Sequence, residues 1–346
     1  MSFLSRFFGR NGDLAGVDIG SSSVKVVRLK RRGKEVGIDS AVLAEFEGPG
    51  PDAVAQALDR VAGASRLEGA SIAITVSDRS LVIRPLVLPK MPADELAEAV
   101  RWEARRQVPY DLGDAVIDYV VTGETTEGTA TRYEVLLVAV EGRGVREALA
   151  AVEKTRGRVK VVDVNPLALR NTLRMTRPEE GTVVYVDIGG QRTEVNLFKQ
   201  SRLRLTRSVE TGGEHCTRAF ADAARLSTAE AEALKREKGL FAFPSGSPEL
   251  ESAAAPIDRI ILEVQRSIDY YRAQTRDREI QRVLLAGGGA LLPGLKEHAA
   301  QFFDSPVEID DPFAKVKGNG PGLASVRSLA PRFAVAMGLA LREAGG

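Results

Sequence analysis

The feature that most narrows the possible folds is a tripeptide, Asp-Ile-Gly, used twice. Leu14–Leu29, LAGVDIGSSSVKVVRL, is an apolar run that carries an acid, turns on a glycine and three serines, and resumes as a second apolar run. Two alternating segments joined so tightly predict a β-hairpin. Asp18 closes the first strand, Gly20, Ser21, Ser22 and Ser23 form the turn, and Lys25 enters the second strand. Gly20 lets the backbone approach a ligand closely, hydroxyls and amides can surround phosphate oxygens, and the lysine adds positive charge. Asp18 repels a bare phosphate but can hold a hydrated metal ion, and Mg²⁺ keeps most of its waters. A serine-rich hairpin is also a common plain turn, so a second phosphate loop is the test.

That second loop is present. Val183–Phe198, VVYVDIGGQRTEVNLF, repeats the layout with Asp187, Gly189 and Gly190, then Thr193 and another strand. A repeat of this kind marks a duplicated functional unit. Two such hairpins facing each other would clamp a polyphosphate and its metal from both sides. A third piece is Arg282–Leu295, RVLLAGGGALLPGL, a buried-looking strand ending in Gly287, Gly288 and Gly289. Three glycines let the main chain lie against a flat ring, and Pro293 suits the first turn of the helix expected to follow.

These segments resemble the phosphate-1, phosphate-2 and adenosine motifs of the actin-like ATPase superfamily, which includes actin, DnaK-type chaperones, sugar kinases and FtsA. Within it, DIGSSSVKVV, RRQVPYDLGDAVIDY and TGGEHCTRAFADAARLSTAEAEALKREKG are most similar to the PilM family of type IV pilus assembly proteins. The resemblance runs over essentially the whole chain. It implies an α/β, actin-like two-lobed fold of duplicated ribonuclease-H-like domains with an inserted IC module. By the same resemblance Asp18 and Asp187 position Mg²⁺, and Ser21–Ser23 and Lys25 take the β- and γ-phosphates of ATP. Gly189, Gly190, Thr193 and Gly213 lie on the opposite side, and Gly287–Gly289 face adenine.

The charged and apolar balance is that of an ordinary globular chain. Of 346 residues, 44% are hydrophobic and 27% charged, and the formal net charge is +1. That length suits two lobes rather than one core, and the near-neutral charge gives no general pull on nucleic acid. Cys216 is the only cysteine, so no internal disulfide can form, which fits a reducing compartment. No apolar run approaches the ~20 residues of a membrane helix, and no signal peptide is apparent. The expected location is the cytosol or the inner face of a membrane. His215 and His298 lack ligand-spaced partners, which argues against zinc sites and histidine triads.

Taken in order, Met1–Gly12 places Phe3, Leu4, Phe7 and Phe8 on one helical face beside Arg6 and Arg10. Such a segment either packs on its own domain or lies on a membrane. Strands are expected near 14–18, 24–30 and 35–46, a helix near 52–66 and a strand over 70–76. Residues 88–158 form a small inserted α/β module, with a helix at 94–107, strands at 115–121 and 133–140 around a loop, and a helix at 144–155. Lobe one then comprises 1–87, 159–180 and 331–346. Lobe two comprises 181–212 and 279–330, with a helical subdomain at 213–278.

Lys160–Met175 is a strand running into the first connecting helix. By resemblance, an acid or glutamine at its start orients the attacking water; this chain has Asn165, which cannot act as a base. Either a neighbour such as Asp163 serves, or hydrolysis is slow. In the helix at 228–239, Glu232 and Lys235 share one face and match the superfamily's ribose-contacting E-x-x-K, though the pair is also an ordinary surface ion pair. Residues 241–256 are expected as loop and 256–276 as an amphipathic helix. The helix at 331–342 carries Ala334, Ala336, Gly338 and Ala340, small residues that let two connectors approach as a hinge.

The family resemblance implies an adaptor on the cytoplasmic face of the inner membrane. Its partner there is the N-terminal cytoplasmic peptide of PilN, held between lobe one and the IC module, where Val82–Pro89 and Arg105–Tyr110 lie. Other inner-membrane pilus proteins and the assembly motors are neighbours, and self-association is open. The alternatives are an ATPase with active turnover and an FtsA-like filament or membrane tether.

Overall fold

The computed structural model describes residues 14–32, 35–46, 48, 50–177, 181–275, 277–316 and 322–342. The segment Met1–Gly12 lies outside them, as do most of Gly318–Gly322. The first hairpin is formed by β1 (Leu14–Ile19) and β2 (Ser23–Arg32), with β3 (Glu35–Glu45) completing an antiparallel meander. Then come α1 (Pro51–Ser65) and β4 (Ser71–Thr75), and later β8 (Arg158–Asp163). The sheet order is β3-β2-β1-β4-β8, with β1, β4 and β8 parallel.

Between β4 and β8 sits the inserted module. Its strands are β5 (Val82–Pro89), β6 (Ala115–Glu127) and β7 (Ala130–Glu141), in the antiparallel order β5-β7-β6. Its helix α2 (Ala93–Gln107) buries Leu96, Val100 and Ala104, spaced one turn apart, against this sheet. The boundary expected at Leu88 cuts through β5. The correction is physical: all eight residues from Val82 to Pro89 pair with β7, so the strand belongs to the module. The loop expected between residues 121 and 133 is also strand, because Gly128 at φ +62° closes a tight hairpin. The return helix α3 (Gly142–Glu153) packs Val145 and Val152 into the cores of lobe one.

After α4 (Asn165–Thr176) the chain repeats itself. Strands β9 (Thr182–Ile188), β10 (Thr193–Lys199), β11 (Arg202–Val209), β12 (Arg282–Ala286) and β13 (Val307–Ile309) give the order β11-β10-β9-β12-β13. Here too the first three strands form a meander and β9, β12 and β13 are parallel. The two sheets are one design used twice, and Asp18 and Asp187 hold equivalent places near the ends of β1 and β9.

Helices α5 (Gly213–Ala224), α6 (Thr228–Glu237) and α7 (Pro248–Gln274) cover one face of the second sheet. Ser227 caps α6, reciprocated by Glu230. The apolar stripe Ile257, Ile260, Ile261, Val264, Ile268 and Tyr271 is buried as expected. However, α7 begins eight residues before Pro256, which sits inside it. Ser247 caps that earlier start by accepting from the Leu250 amide, and an alanine-rich turn carries the helix through the proline.

Short α8 (Leu295–Ala299) and α9 (Leu323–Val326) precede the last helix, α10 (Ala334–Ala340). Pro293 lies before α8, not in its first turn, and its carbonyl accepts from Leu240 N. Pro331 likewise falls in a 3₁₀ turn, Arg327–Phe333, ahead of α10. The helices α4 and α10 cross between the two sheets within a shared core of Leu167, Leu169, Tyr185, Phe198, Leu284 and Leu339. Their approach is close enough for Thr172 Oγ1 to donate to Ala334 O (2.7 Å) and Asn171 Nδ2 to Gly338 O (3.1 Å). A Cβ on Gly338 would collide with the Ala168 carbonyl. The small residues of α10 therefore allow the close approach that their spacing suggested.

Candidate functional site

The two acidic hairpins face each other across the junction of the lobes. Each turn is closed internally. Gly20 N–H donates to Ser23 O and Gly189 N–H to Arg192 O, each at 3.0 Å. The amides of Ser21, Ser22 and Gly190 donate to no main-chain carbonyl among the described residues, so they stay available to an anion. The turns touch: a Cβ on Gly190 would collide with Ser21 Oγ and stand 3.6 Å from Ser22 Oγ. Ser21 and Ser22 are exposed, whereas Ser23 is buried within β2.

Lys25 Nζ contacts Asp18 Oδ2 at 3.0 Å, with both side chains nearly covered. Burial first, and the Asp18 carboxylate second, push Asp187 up to about 6, with Lys25 opposing. A third acid, Glu194, joins them. It stands opposite Asp187 in the β9–β10 ladder. Burial, then Asp187, push it up to about 8, against Arg192. Asn165 Nδ2 donates to Glu194 Oε1 (3.4 Å), while Asn165 Oδ1 and Glu194 Oε2 are buried with no partner among the described residues. Glu194 is not singled out by the sequence, although an acid directly after Thr193 and opposite Asp187 in the predicted hairpin was the available signal. Asp163 is not a free neighbour for Asn165. It is 2% exposed, accepts from its own Val164 amide, and is ion-paired with Arg342.

Thr193 is also engaged elsewhere: it is fully buried, and its hydroxyl donates to Thr211 O (2.7 Å), bracing the turn into α5. The amides at the start of α5 complete that brace, Gly213 N to Gly189 O (2.9 Å) and Glu214 N to Gly190 O (2.8 Å). Glu232 and Lys235 do come together, at 2.5 Å, and Lys235 Nζ also reaches Gly213 O (3.1 Å) and Thr217 Oγ1 (2.6 Å). The E-x-x-K pair is thereby tied, through Gly213, to the second acidic turn.

The three glycines differ in what they pack against. A Cβ on Gly287 would collide with Asp187 and one on Gly289 with Ile188, so both are required for packing against β9. Gly287 also has φ +79°. Only Gly288 is open, its nearest neighbour being Arg332 Nε at 3.9 Å.

At the rim on that side lies a cavity of about 470 Å³ lined in part by Glu45, Arg60, Arg236 and Arg332. Glu45 receives Arg332 at 2.6 Å and Arg236 at 3.2 Å, and Arg60 donates to its carbonyl at 2.8 Å. Partial burial pushes Glu45 upward, but bonding and charge from Arg332 and Arg236 outweigh it and hold the carboxyl below its ordinary range. A second tie joins the module to lobe two: Glu134 of β7 receives Arg204 at 2.5 Å and Arg202 at 3.5 Å.

Comparisons with known proteins bear on the fold and the family. A solved PilM–PilN type IV pilus biogenesis complex matches with TM-score 0.82 and 26% identity, over 95% of this chain and 98% of that one. MreB5 of Spiroplasma citri, solved bound to ADP, matches with TM-score 0.51 and 10% identity over 95% of each chain, a likeness of fold. FtsA of Streptococcus pneumoniae serotype 2 is 22% identical over 371 aligned positions, covering 92% of this chain and 80% of that protein. The fold is the actin-like ATPase fold. The family model of type IV pilus assembly protein PilM matches residues 16–344, and the chain belongs to that family.

Proposed function

We propose that this chain is an ATP·Mg²⁺-binding component of the type IV pilus assembly machine. Its nucleotide holds the two lobes together, and its inserted module docks the N-terminal cytoplasmic peptide of PilN at the inner face of the inner membrane. The observation that carries this reading is the near end-to-end match to the PilM–PilN complex, joined to two acidic hairpins that meet face to face. No helix among the described residues is long and apolar enough to cross a membrane, so attachment through a partner fits.

The residues suit a magnesium-loaded triphosphate. Among the described residues no group of three or more acidic, histidine or cysteine side chains converges on a metal position. Two aspartates alone suit an ion that keeps its waters and takes phosphate oxygens as its other ligands. Asp18 and Asp187 would hold the hydrated ion, which when bound neutralises the phosphates and relieves the crowding of Asp187 by Asp18. The amides of Ser21, Ser22 and Gly190 would donate to phosphate oxygens, and Lys25 can trade Asp18 for a phosphate. Glu232, Lys235 and Gly288 would border the nucleoside. Because Ser21 and Gly190 touch, the turns must part for phosphates to enter, and the close-packed α4 and α10 are the hinge for that motion.

On the module, β5 is the edge of its sheet and carries Pro85 and Pro89, which belong on edges. Val87 and Trp102 are 53% and 60% exposed. An extended peptide with apolar side chains can add to such an edge. Isothermal titration with ATP·Mg²⁺ and with a PilN N-terminal peptide, on the wild type and Asp187→Ala, tests both halves. Asp187→Ala should lose metal-dependent nucleotide binding yet remain folded and retain the peptide.

A further inference from the structure

The solvent-facing side of α4 carries Arg170 and, one turn on, Arg174. The surroundings of Arg170 do not suit a lone cation. Its Nε is buried without a hydrogen-bond partner among the described residues. Neither Arg170 nor Arg174 has an ion pair among the described residues, whereas their neighbours do. Arg342, just past α10, holds Asp163, and Arg202 and Arg204 of β11, a strand that packs on α4, share Glu134. Five guanidiniums thus share two carboxylates. Burial first, then the charges of Arg174 and Arg342, depress the pKa of Arg170, with Asp163 alone opposing them.

Holding a half-buried cation among like charges is unfavourable unless an anion completes the group. We propose that Arg170, Arg174 and the flanking Arg202 and Arg342 form a binding site for a phosphate group, lying where α4, the end of α10 and the edge of the second sheet meet. Guanidinium forks pair with phosphate oxygens two at a time, which makes arginine the residue type suited to this role. The site borders the hinge between the lobes and stands apart from the paired hairpins.

The probe is inorganic pyrophosphate at physiological ionic strength, read by thermal unfolding and isothermal titration on wild type, Arg170→Met, Arg174→Ala and Asp187→Ala. Pyrophosphate should raise the wild-type Tm by at least ~3 °C. Arg170→Met and Arg174→Ala should bind tenfold or more weakly, and Asp187→Ala should keep the effect. Arg170→Met should itself unfold at a higher temperature than wild type in phosphate-free buffer, since it removes an unpaired buried charge. Arg174 is exposed, so its variant reports on binding even if Arg170→Met folds poorly. Sedimentation with phosphatidylglycerol vesicles, against phosphatidylcholine vesicles, separates the two sources of the phosphate. Retention that depends on Arg170 assigns a lipid headgroup, and a pyrophosphate effect without retention assigns a soluble phosphate compound. A pyrophosphate response equal in wild type and both arginine variants, or a response lost only in Asp187→Ala, overturns the proposal. The latter result would leave the nucleotide site standing.

Discussion

Gly190 of the second acidic hairpin rests against Ser21 of the first, so closely that no side chain fits between them. An alanine methyl there would meet Ser21 Oγ and lie 3.4 Å from Glu214 Oε1. Gly190→Ala should push the turns apart and misplace the amides proposed to bind phosphate. ATP·Mg²⁺ affinity, measured by titration calorimetry, should fall about tenfold, which is ~1.4 kcal/mol. Wild-type affinity in this variant would mean the turns never need to meet.

Glu45 fastens the rim of the cleft through Arg236 and Arg332. Glu45→Gln keeps its shape and removes its charge. Nucleotide dissociation, followed by stopped flow with a fluorescent ATP analogue, should quicken by roughly threefold to tenfold. Because the carboxylate is 41% exposed, added salt should speed release in the wild type and have little effect on the variant.

Glu194 touches Asn165 and would act as a base only once ionised, so with its carboxyl pushed up to about 8, turnover that depends on it should rise as pH climbs through that value. Glu194→Gln should lower whatever ATP turnover the wild type shows by at least ~10-fold, within the range for one acid–base group, while leaving nucleotide affinity within twofold. Equal turnover in the two proteins would reduce Glu194 to a structural acid.

Gly338 packs hard against α4, with Thr172 Oγ1 2.9 Å from where a Cβ would stand. Gly338→Ala should cost about 1–3 kcal/mol through overpacking, read as a lower urea midpoint with an unchanged slope.

Asp310 is 2% exposed and accepts the Tyr185 hydroxyl; burial, the leading cause, raises it to about 6. A carboxyl whose folded pKa lies above its unfolded value of 3.8 binds more protons when folded, so it favours the fold most at low pH. That contribution should fade as pH climbs from about 4 through 6. Asp310→Asn should flatten this part of a stability–pH profile measured by urea unfolding; an identical profile would assign the slope to other groups.

Much of this was legible before any fold was known. Asp18 and Asp187 each sit within a few residues of their own glycines, and a turn plus two alternating runs suffices to place each on a hairpin. The stripe of α7 followed from periodicity alone. Glu194 escaped because its importance comes from Asn165, 29 residues away, and from its partner Asp187 across a ladder. The packing of Gly287 and Gly289 against β9 could not be read from the run of three glycines, because a glycine that faces a ligand and one that avoids a neighbouring strand look identical in one dimension.

What the chain determined by itself is local: which segments alternate, where they turn, and that one acidic hairpin occurs twice. Tertiary structure alone decided which of these groups meet. It assigned Thr193 to a brace, Asp163 to Arg342 and β5 to the module, and it gathered the arginines around α4. The reason is that hydrogen bonds and ion pairs form between neighbours in space. Their partners lie tens to hundreds of residues apart, and only the packing of two sheets about α4 and α10 brings them within reach.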